Sequence, residues 1–89
     1  MKILLIEDEV KLAEYLRKGL GAVGYVVDVA HNGVDGLHMA TQGHYDLIVL
    51  DGMLPGIDGL QLLTRLKQRD PSLPVVLITG HGDISMAVD

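Results

Sequence analysis

Acidic residues close two of the most apolar runs in this 89-residue chain. Ile3-Leu4-Leu5-Ile6 leads directly into Glu7-Asp8-Glu9, and Leu47-Ile48-Val49-Leu50 into Asp51, which opens the loop Gly52-Met53-Leu54-Pro55-Gly56. A carboxylate at the end of a buried strand stands at the lip of a sheet. If the two strands are parallel neighbours, Glu7, Asp8 and Asp51 converge, and a hard divalent cation relieves their mutual repulsion. The pattern therefore predicts a magnesium-dependent carboxylate site. A lone Glu-Asp-Glu run is an ordinary solvated turn or the first turn of a helix, where negative charge favours the macrodipole; the second strand-end acid is what favours a site. A third apolar run, Val75–Ile78, ends in Thr79-Gly80-His81-Gly82. A hydroxyl there can donate to an anionic group held at Asp51, with Gly80 leaving room for its approach. Capping of the next turn is the plainer role for the same hydroxyl.

Other motifs carry less. Gly19-Leu20-Gly21-Ala22-Val23-Gly24 has the spacing of a dinucleotide-binding glycine pattern. It lies after a helix and before a strand, however, whereas phosphate is held at the N-terminus of a helix that follows a strand. Helix termination is the expected role. His31, His38, His44 and His81 share neither an i, i+4 pair nor a short zinc spacing, so most of them are expected at the surface and not in a metal site. Met39, Met53 and Met86 are expected to pack rather than to ligate.

The elements that must position the acids follow from periodicity. The three continuous apolar runs suit strands buried on both faces of a parallel sheet. Tyr25-Val26-Val27-Asp28-Val29 carries a charge in its middle and suits an edge strand. Leu12, Ala13, Leu16, Leu20 and Val23 fall within about a 100° arc of a helix, with Lys11, Glu14, Arg17 and Lys18 outside it. Val34, Leu37 and Ala40 support a second helix. Leu62, Leu63 and Leu66 support a third, bounded by Asp58-Gly59 and by Asp70-Pro71. The order βαβαβαβ with right-handed crossovers gives an open α/β sheet, outside whose strand C-termini ligands gather.

Composition narrows the function further. The length fits one domain, and 48% hydrophobic against 21% charged residues is globular usage. Seven Lys and Arg against twelve Asp and Glu give a net charge of −5, the wrong sign for direct nucleic-acid binding. No Cys is present, which excludes disulfides and thiolate metal sites. The four-residue apolar start fits neither a signal peptide nor a membrane span, so a cytoplasmic location without membrane attachment is expected.

The segments MKILLIEDE, DLIVLDGMLPGIDGLQLL and LPVVLITGHGD together resemble the receiver domain of bacterial response regulators, and nearly the whole chain takes part. The resemblance implies a flavodoxin-like α/β fold with strand order 2-1-3-4. It implies Asp51 as the phosphoacceptor for a sensor histidine kinase or a small phosphodonor. By the same resemblance Asp8 is a direct Mg2+ ligand, Glu7 a second acid acting directly or through water, and the Met53 backbone carbonyl a further ligand. Thr79 matches the switch hydroxyl. Residues 1–69 are similar to receivers of winged-helix regulators, particularly those answering copper and other heavy metals; residues 74–89 look more like receivers of AAA+ activators.

Two departures accompany this likeness. Gly52 stands where the family has a larger apolar residue, and the chain is expected to end about one turn into a fourth helix. The family's fifth strand, with its phosphoryl-binding Lys, and its last helix then have no counterpart. Strand 4 would be left with an open edge, through which a homodimer or swapped oligomer is expected. The alternative to phosphoacceptance is an inactive, truncated or hybrid receiver that serves only as an interaction module. A phosphatase with an Asp nucleophile is the weaker reading, since Gly52-Met53 supplies no second acid two residues on.

Overall fold

The computed structural model describes residues 1–51, 54, 58–78 and 84–87. Strands β1 (Lys2–Ile6), β2 (Val26–Ala30), β3 (Leu47–Asp51) and β4 (Val75–Ile78) alternate with helices α1 (Val10–Ala22), α2 (Gly33–Gln42) and α3 (Gly59–Arg69). The four strands are parallel and lie in the expected order 2-1-3-4. Their apolar runs are continuous because both faces are occupied. Leu4, Ile6, Ile48, Leu50, Val75 and Leu77 form one face and pack with Leu62 and Leu66 of α3. Ile3 and Leu5 alternate to the other face, where α1 lies against β1 and β2.

The element ends follow local chemistry. Asp58 accepts from Leu60 N–H at 2.9 Å as the N-cap of α3, and Asn32 accepts from Asp35 N–H at 2.8 Å as the N-cap of α2. At the end of α1, Tyr25 N–H bonds to Leu20 C=O and Gly24 N–H to Gly21 C=O, with Gly24 at φ +99°. That is a Schellman stop, which settles the glycine pattern as helix termination. Gly36 brings α2 down onto β1, since a Cβ there would come within 2.5 Å of Ile6 Cδ1.

Asp28 confirms β2 as an outer strand. Its carboxylate accepts from the Tyr45 hydroxyl at 2.8 Å and pairs with Lys2 Nζ at 3.8 Å, so the charge is held at the sheet margin. Burial, aided by Asp28, pushes the Tyr45 hydroxyl up to about 12.

Three expectations need correction. The tail does not begin a fourth helix: Ile84–Ala87 is a strand, β5, antiparallel to β4 with Val76 opposite Met86. The place beyond β4 is therefore filled, giving the order β2-β1-β3-β4-β5. The open strand-4 edge expected to drive dimerisation is accordingly paired within the chain. The tail and the edge share one physical cause: an apolar interior strand with unpaired N–H and C=O groups recruits whatever extended backbone is within reach. On α1, Val23 is the C-cap and 68% exposed rather than packed, and Leu12 is also exposed; Ala13 is the buried residue of that helix.

Candidate metal centre

Strand register brings the acids together. Ile6 is paired with Leu50, so the residues that follow, Glu7 and Asp51, leave the sheet side by side. The chain places β2 on one side of β1 and then returns to lay β3 on the other. Strand order thus reverses between β1 and β3, and a crevice outside their C-termini results. One carboxylate oxygen each from Glu7, Asp8 and Asp51 lie within 4.8 Å of one another at that crevice. They are buried, exposed and half-buried in turn, so the group opens to solvent on the Asp8 side.

Glu7 is the most constrained of the three. At 3% exposure it is the buried charged residue of the described chain. Its N–H donates to Ala30 C=O at 2.9 Å, and its carboxylate accepts from Glu9 N–H at 3.1 Å. His31 Nδ1 contacts its backbone oxygen at 3.1 Å. Burial pushes the Glu7 carboxyl up to about 7; the Glu9 N–H opposes this, while the Asp51 charge, a side-chain hydrogen bond with Asp51 and the Asp8 charge add to it. Burial therefore disfavours the ionised form, and a cation at the site would favour it.

The donor set fits magnesium on its chemistry. All three ligands are carboxylate oxygens, the hard donors this ion takes, usually one or two at a time with water completing the shell. Three acids gathered at one rim also favour a cation by their summed charge. Among the described residues no Lys, Arg or His forms an ion pair with Asp8 or Glu7. Met53 and Thr79, expected as a carbonyl ligand and a switch hydroxyl, lie outside the described residues, as do Gly52 and His81. His38 and His44 are exposed, and Met39 packs against the core. His31 is exposed, as expected, but spacing alone gives it no role. Its position directly after β2, whose register with β1 pairs Ala30 with Ile6, is the signal that places it beside Glu7.

A flavodoxin-like sheet with an acid trio at its switch point defines a receiver-type signalling domain rather than a conventional enzyme. The sequence matches the response regulator receiver domain over residues 3–89, and the chain belongs to that family. It is 47% identical over 88 residues to the transcriptional regulatory protein CusR of Escherichia coli K12, covering 99% of this chain and 39% of CusR. The chain thus spans about two-fifths of the length of that relative. The response regulator protein TrrA of Thermotoga maritima, solved in complex with Mg2+-BeF, superposes with a TM-score of 0.86 at 34% identity, over 90% of this chain and 71% of TrrA. TrrA solved with the histidine kinase ThkA gives a TM-score of 0.87 at 33% identity, over 92% of this chain and 71% of TrrA.

Proposed function

We propose that this receiver domain accepts a phosphoryl group on Asp51 from a sensor histidine kinase, and that the change controls an output, transcription being the one its relatives' names point to. The observation that carries the reading is the register of β1 and β3, which sets Asp51 beside Glu7 and within ligand distance of Asp8. Glu7, Asp8 and Asp51 would hold Mg2+, and the resemblance to the family adds the Met53 carbonyl as a further ligand. When bound, the ion neutralises charge on the transferring phosphoryl oxygens.

The remaining chemistry belongs to the chain. An Asp51 carboxylate oxygen attacks phosphorus in line; the new O–P bond forms as the P–N bond of the donor phosphohistidine breaks, and the leaving imidazole takes up a proton. Asp51 is suited to this because it ends a strand paired on both sides and is half-buried, so its reach is fixed. Glu7, its carboxyl raised by burial, would bind the ion in its ionised form, with its proton passing to solvent. Thr79, the residue after Ile78 in the sequence, donates its hydroxyl to the phosphoryl group and passes the change on to the residues that follow it.

Support from relatives is of two kinds: TrrA was solved with Mg2+-BeF and, separately, with a histidine kinase. Among the described residues no helix is long and apolar enough to cross a membrane, and a cytoplasmic site of action fits a domain that meets a kinase there. Intact mass after incubation with Mg2+ and acetyl phosphate tests the reading. A single phosphoryl adduct supports acceptance, whereas an unmodified chain favours a module that only binds partners.

A further inference from the structure

We propose that His31 is a positioning residue for the magnesium site, acting through the main chain of Glu7; the inference rests on the functional reading above. A carbonyl oxygen only accepts, so at 3.1 Å the contact fixes His31 in a form with Nδ1 protonated, donating to Glu7 C=O. That carbonyl shares one rigid peptide plane with the N–H of Asp8. Holding the oxygen therefore sets the rotation of the plane, and with it the direction in which Asp8 leaves the strand.

The rest of the neighbourhood makes His31 a fixed post. Its preceding residue, Ala30, is buried and accepts from Glu7 N–H at 2.9 Å. Its following residue, Asn32, caps α2 through Asp35 N–H and accepts from Gly36 N–H at 3.0 Å. The backbone on either side of His31 is thus tied down, and Glu7 is held at its N–H by Ala30 of β2 and at its C=O by His31 just beyond that strand. The Glu7 side chain is bound separately, by Glu9 N–H. His31 meets Glu7 at its backbone oxygen, so the influence argued for it on the cation runs through the main chain.

The test pairs two substitutions of similar shape in the 89-residue chain. His31→Asn keeps a side-chain N–H on the atom attached to Cγ, where Nδ1 stands; His31→Leu does not. Titration calorimetry with MgCl2 is expected to give Asn within about twofold of the parent, and Leu roughly 3- to 10-fold weaker, the range for one ordinary hydrogen bond. Melting of the metal-free chains should be nearly the same for the two variants. The proposal is overturned if Leu binds magnesium as the parent does. It is equally overturned if Leu and Asn are weakened alike, or if the loss tracks a fall in metal-free stability. Failure of the parent chain to bind magnesium would contradict the functional reading itself, and this inference with it.

Discussion

Glu7 and Asp51, the residues that follow the paired Ile6 and Leu50, hold carboxylate oxygens within 4.8 Å of one another, and the Asp51 charge adds to the burial that raises the Glu7 carboxyl. With its carboxyl raised from 4.5 to about 7, Glu7 favours folding fully below pH 4.5. That contribution is lost as pH rises through 7, because the unfolded chain ionises first. A tenfold gain in proton affinity on folding corresponds to about 1.4 kcal/mol, so a few kcal/mol is the upper scale. The metal-free chain should lose stability between these pH values, and Glu7→Gln should flatten the decline in urea melts followed by circular dichroism. A variant with the parent's profile would place the proton elsewhere.

Magnesium should act against this proton. Binding to the native state alone adds about 2.7 kcal/mol at a hundredfold excess over Kd. The melting shift should therefore be larger at pH 8 than at pH 5.5, where Glu7 remains protonated. Asp8→Ala should remove the shift while leaving the metal-free chain as stable or more so, since one of three like charges is gone. An undiminished shift in that variant would remove Asp8 from the site.

The contact between α2 and β1 fixes where Glu7 emerges. Gly36→Ala is expected to destabilise by roughly 1–3 kcal/mol, because Ile6 Cδ1 and Cγ1 would lie 2.5 and 2.8 Å from the new methyl. Ile6→Val removes the nearer carbon and should recover part of the loss. Chemical denaturation of the single and double variants measures that coupling.

At the other margin, β5 pairs with β4. Deleting residues 84–89 should bare the β4 backbone along an apolar row, lower stability and promote self-association seen in light scattering. If the shortened chain stays as monodisperse as the parent, the remaining chain covers that edge unaided.

Much of this is legible in the sequence, for identifiable reasons. Leu47 to Leu50 and Val75–Ile78 are uninterrupted apolar runs between turn signals, and both are strands, the first extending to Asp51. Asp58 and Asp70 bound α3 as their types suggest. The acid trio follows once β1 and β3 are neighbours. Ile84-Ser85-Met86-Ala87 misleads because so short a segment has no dominant local preference, and pairing with β4 decides its conformation. Val23 misleads because a helical arc does not reveal where the helix stops; Gly24 does. The burial of Glu7 is not legible either, since it depends on β2 and its following turn lying over it. The same three-dimensional fact conceals His31.

The identity of the acceptor is tested most directly by intact mass. After incubation with Mg2+ and acetyl phosphate, the parent chain should carry one hydroxylamine-labile phosphoryl group and Asp51→Asn none. A phosphoryl group that persists on Asp51→Asn, or a parent chain that takes up none, would contradict acceptance at Asp51.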